Sequence, residues 1–200
     1  KHTAILCVVA GLASSTTASA HETVLTEDNP FSALLSGMSH PVSGLDHFLA
    51  MFAVGFSSIF YRPKDVWIIP GVFLTFMVIG YGVGELEVTL PAIELGIASS
   101  VIALGLCMAA QGRVARPLAM LIVAMFALFH GNVHAIELPD AGAAWLYVSG
   151  FLIGTAGIHV GGIMVADIMR KPDGHSRFIT LISALVIAIG VTFAIKQLNP

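Results

Sequence analysis

The stretch His130-Gly131-Asn132-Val133-His134-Ala135-Ile136-Glu137 closes a long apolar run that begins near Pro117. On a helix, residues four apart share a face and residues seven apart nearly do, so His130, His134 and Glu137 form one stripe. Two imidazoles and a carboxylate at this spacing suit a divalent cation of intermediate softness. They lie at a helix C-terminus, whose partial negative charge also favours cations. Ionisable groups inside hydrocarbon are expensive, and they mark function unless they are bonded to neighbouring helices as a packed polar cluster.

A second set opens another apolar run, His40-Pro41-Val42-Ser43-Gly44-Leu45-Asp46-His47, and continues to Met51. Pro41 suits a first helical turn, where its missing N–H costs nothing, which puts His40 at the helix mouth and His47 near the same face. Asp46 can bind a metal or orient His47. Met51, one turn below, carries a thioether that in an apolar helix ordinarily serves packing.

The elements that must carry these residues follow from composition. Apolar residues make up 56% of the 200 positions and charged residues 10%, with mean hydropathy +0.90, values outside the range of water-soluble domains. The expected fold is an all-α membrane protein, a compact bundle of six transmembrane helices after a cleaved N-terminal signal peptide. The net charge of −3 leaves no basic face for nucleic acid. Residues 1–20 read as the signal, with an apolar stretch from Ala4 to Leu12 and Ala18-Ser19-Ala20 at the cleavage site, so that the mature chain begins at His21. Cys7 would leave with the signal and Cys107 would remain alone, which excludes an internal disulfide or a cysteine metal site.

Residues 21–200 then form a single helical domain, with spans expected near 42–61, 66–84, 92–111, 117–138, 142–168 and 177–196, each long enough for a core of about 30 Å. Arg62 and Lys64, Arg113 and Arg116, and Arg170, Lys171 and Arg177 fall in alternate connections, which the positive-inside rule makes cytoplasmic. Both mature termini then face the periplasm. His40, Asp46, His47, His130, His134 and Glu137 fall at the periplasmic depth, where they can converge if the first and fourth spans touch.

The chain resembles the HupE/UreJ family of nickel and cobalt permeases. The family pattern HPxxGxDHxxxMxxVG is matched by His40, Pro41, Gly44, Asp46, His47, Met51, Val54 and Gly55. The second signature, FHGxAHGxE, is matched by Phe129, His130, Gly131, His134 and Glu137, with Val133 and Ala135 in place of a small residue and a glycine. The resemblance covers essentially the whole chain. It implies transport of Ni2+ or Co2+ across the bacterial inner (plasma) membrane, with the histidines and acids of the first and fourth spans handling the metal. It implies cargo rather than a permanently bound cofactor, and a transporter rather than an enzyme. The partners it suggests are the metal ion, the bilayer and cytoplasmic metal acceptors, and a homo-oligomer is compatible with it.

Further candidates on the metal path are His21, whose imidazole and free amine could chelate together, Glu94 at the entry of the third span, and His159. His159 stands among Gly157, Gly161 and Gly162 and, on a straight helix, lies about 25 Å below the periplasmic end. Glu85 and Glu87 would act as an acidic vestibule. Spacing alone leaves two other readings open, an intramembrane zinc-dependent hydrolase and a bis-histidine haem bundle. A Walker-type phosphate loop is absent, so the chain itself would not hydrolyse ATP.

Overall fold

A computed structural model describes residues 30–136, 144–170 and 176–199. Among them are seven helices and no strand: α1 (Pro30–Ser43), α2 (Leu45–Ser58), α3 (Asp65–Glu85), α4 (Ile93–Ala110), α5 (Arg116–Ile136), α6 (Ala144–Met169) and α7 (Ser176–Leu198). The last five are each long and apolar enough to cross a membrane. Their ends lie within two residues of those expected from hydropathy, because charged or glycine-bearing connections bound each run. The C-terminus of α4 is one example: Gln111 and Gly112 turn left-handed, at φ 46° and 79°, and stop the helix.

The first expected span is different. Instead of one helix over 42–61 there are two, broken at Gly44, whose extended backbone (φ −89°, ψ 113°) starts α2. Pro41 lies near the end of α1 and not in a first turn. His40 and His47 therefore belong to different helices. The segment before Pro41 is helical from Pro30 because it has a face of its own: Ala33, Gly37 and Pro41, spaced four apart, are buried. Gly37 meets the carbonyl of Tyr147, and Gly150 of α6 meets the carbonyl of Leu34.

At 14 residues α2 is only about 21 Å long, too short to cross the hydrocarbon by itself. It forms the axis of the bundle instead. Met51 and every residue from Ala53 to Ser58 are buried, as expected of a helix enclosed on all sides. It packs chiefly on α6 and α4, while α1 pairs with α6, α3 with α5, and α4 with α7. The outer faces carry exposed Trp67, Leu121, Ile153 and Leu181, as a lipid-facing surface requires.

The α3–α5 pair fixes the position of the opening histidine stripe. Lipid supplies no hydrophobic drive between helices, so close backbone approach through small residues must hold them. Gly131, between His130 and His134, lies directly on the Met77 carbonyl, and Gly80 lies on that of Leu128. A methyl group at Gly131 has nowhere to go except into backbone. Gly131→Ala is expected to cost about 1–3 kcal/mol of stability, read as a lowered melting temperature in detergent; an unchanged melt would show that the two helices separate freely.

At the opposite end of the same pair, Asp65 is fully buried and its Oδ1 accepts from Arg116 Nε and Nη2, both at 2.8 Å. Its Oδ2 accepts the Arg62 N–H at 3.1 Å. This ion pair ties the start of α3 to the start of α5, so the two helices run parallel and bring their C-termini to one end of the bundle.

Candidate metal-handling site

Four imidazoles meet at that end. His40 arrives from the last turn of α1, His47 from the first turn of α2, and His130 and His134 from the end of α5. Ring centroids are 4.7 Å apart for His40–His134 and for His47–His130, 4.8 Å for His47–His134 and 6.2 Å for His40–His47. His47, His130 and His134 are buried and His40 is half-buried. The backbones of α2 and α5 are not a packed pair; the side chains reach across the interval between them. The sequence left open whether these two elements touch; their imidazoles do.

Two of the four rings have their protons assigned by neighbours. Asp46 Oδ1 accepts from both the backbone N–H and the Nδ1–H of His47, at 2.8 and 2.9 Å. A carboxylate can only accept, so the Nδ1 proton is fixed and Nε2 carries the lone pair. The second case involves Ser100, on α4. Its hydroxyl donates to the Ile97 carbonyl at 2.6 Å, so its oxygen accepts from His130 Nε2–H at 2.9 Å. The lone pair of His130 is then on Nδ1.

His47 Nε2 and His130 Nδ1 are both buried without a hydrogen-bond partner, as are both ring nitrogens of His134. Leaving one such group unpaired costs on the order of 1–3 kcal/mol. Four in contiguous rings is not an arrangement that packing selects. Among the described residues, however, no three His, Cys, Asp or Glu side chains stand in a geometry ready to hold a metal ion. The site is a nest of edge-to-face imidazoles with unspent lone pairs.

Asp46 is placed to orient His47, the second of the two roles open to it. Met51 is fully buried in the apolar core, in its packing role. Glu94 is exposed in the first turn of α4. Glu137 and His21 lie outside the described residues, as does the whole signal-peptide segment. Glu85 and Glu87 are exposed at the histidine end. Asn132, fully buried between the two α5 histidines, accepts from Leu90 N–H at 2.9 Å and donates to the Val88 carbonyl at 2.8 Å. It thereby ties the α3–α4 connection down beside the cluster.

Sequence reading missed the surroundings. Ser100 is the second of two adjacent serines, Ser99-Ser100, in an apolar run, without a spacing signal. Phe151, 4.0 Å from His134 by centroid, Tyr147, 5.9 Å from His40, and Phe73, 5.7 Å from His130, give the nest its aromatic walls. Aromatics in apolar helices are ordinary, and only the fold distinguishes these three.

An all-helical, membrane-type bundle with a buried polyhistidine nest defines the class. The profile of the HupE / UreJ protein family matches residues 8–193, and the chain is 41% identical over 175 residues to Protein HupE of Rhizobium leguminosarum bv. viciae, covering 88% of this chain and 89% of that one. No solved structure matches. The chain is a member of the HupE/UreJ family.

Proposed function

We propose that the chain carries a divalent transition-metal cation inward across the bacterial inner membrane, with the His40–His47–His130–His134 nest as its entry site. The observation that carries this reading is the set of partnerless ring nitrogens on His47, His130 and His134. The family is associated with nickel and cobalt transport, and imidazole nitrogen suits both ions. Nickel is the first choice and cobalt the second. A nest that must rearrange to bind holds an ion weakly, as a transporter requires and a retained cofactor does not. The acidic rim of Glu85 and Glu87 raises the local cation concentration. The basic connections at the other end support an inward orientation, with membrane potential supplying about 2.3 kcal/mol per charge per 100 mV. Glu137, one turn beyond His134 in sequence, and His21 are proposed to extend the path outward.

Radiolabelled Ni2+ uptake by cells expressing the chain tests this, with cobalt and zinc as competitors. Protons compete with the metal for every imidazole lone pair. Below the titration range of the site, uptake at fixed membrane potential should fall about tenfold per pH unit for each imidazole that must be neutral. Uptake that does not fall at any external pH down to the acid limit of the fold would contradict histidine entry.

A further inference from the structure

The nest does not contain all the orphaned imidazole in the bundle. His159 of α6 is 1% exposed, and neither its Nδ1 nor its Nε2 has a partner. One turn earlier on the same helical face, the fully buried Thr155 Oγ1 is also without one. Three buried polar atoms on one short stripe of an apolar helix are the kind of cost seen in the nest. His159 is nevertheless separate from the nest. The ring of Phe73, itself fully buried, touches both, 5.7 Å from His130 and 5.2 Å from His159, and is edge-on to His159 at 88°.

Gly55 of α2 brings its backbone onto the His159 carbonyl, and Gly162 lies on the Phe52 carbonyl, so α2 and α6 form a wall with no room for a shift. The expectation from helix length put His159 far from the nest; in the fold it is a single ring away. Asp167, further along α6, is engaged by Arg170 at 2.9 Å near the surface and is not part of the stripe.

We infer that His159 and Thr155 form a second, inner station for the transported divalent cation, with the Phe73 ring in contact with both it and the entry nest. This rests on the proposed transport function. One imidazole and one hydroxyl, completed by water, make a weak transit site for a borderline ion rather than a storage site.

The test is His159→Leu, with His159→Gln as a second variant that keeps a buried polar group. Each is assayed for Ni2+ binding by the purified protein, melting temperature and Ni2+ uptake by cells, beside His47→Ala. Removing an unsatisfied imidazole relieves a desolvation cost, so the melting temperature of His159→Leu should be unchanged or higher. Binding at the nest should stay within about twofold, and uptake should fall about tenfold or more in both variants. Normal uptake by either variant, with uptake lost in His47→Ala, overturns the inner station and leaves the nest intact. Lowered melting together with lost binding would assign His159 to packing and also overturn it. Absence of Ni2+ uptake by the unaltered chain overturns the transport reading and the station together.

Discussion

His47→Ala and His134→Ala should each reduce Ni2+ uptake by about a hundredfold or more, with the protein still reaching the membrane. Changes in groups that merely orient a metal ligand already cost about 10–100-fold in affinity, so loss of the ligand lies at or beyond the upper end. The two residues contribute differently. His47 presents one lone pair, fixed in direction by Asp46, whereas His134 has two partnerless nitrogens and touches both His40 and His47. His134 is thus the ring best placed to swing between partners. Asp46→Asn should give an intermediate loss of about 10–100-fold, because the amide no longer dictates which His47 nitrogen is protonated. Membrane levels measured alongside uptake separate ligand loss from misfolding. Normal uptake in both alanine variants would remove the nest from the pathway.

Arg116→Ala should produce the largest loss of stability, about 3–5 kcal/mol, because it leaves the Asp65 carboxylate buried without a counter-charge. Asp65 is fully buried whereas the Arg116 side chain is one-third exposed, so the two ends of the pair are not equivalent. Asp65→Asn keeps an acceptor for the Arg62 N–H and leaves a cation that can reach water. It should cost markedly less. Unfolding of the two variants in detergent checks this, and equal, small effects would mean that water reaches Asp65. Because the pair fixes the parallel register of α3 and α5, Arg116→Ala should also blur the nest at the far end of α5, about 20 Å away along the helix.

The elements legible in the sequence were those set by hydropathy and charge. α3 through α7 stand where apolar runs between charged connections put them. Within the site, His130 and His134 share a face because four residues make about one turn. His40 and His47 were read as neighbours for a reason that the fold replaces. They are close because Gly44 breaks the helix and re-aims α2, which continues along α6 in the direction that α1 takes, not because seven residues stack them on one helix. The sign of that break was Gly44 itself, together with the small-residue stripe of Ala33, Gly37 and Pro41 that seats α1 on α6. Ser100 and Phe73 could not be read in this way. One of two adjacent serines in α4 and one of two phenylalanines in α3 carry no periodic signal, and their roles arise from contacts between elements far apart in sequence. His159 falls between these cases: its place in an apolar, glycine-flanked run was legible, but its nearness to the nest depends on how α3 packs against α5 and α6.

The central claim is that imidazole nitrogens of this nest hold the transported ion. Nickel-edge X-ray absorption on the purified chain loaded with Ni2+ tests it most directly. The loaded chain should show a nitrogen and oxygen shell with outer-shell scattering from imidazole rings, lost in the His47→Ala/His134→Ala double variant. A spectrum of the hydrated ion, a sulfur shell, or an imidazole signal that persists unchanged in the double variant would contradict it.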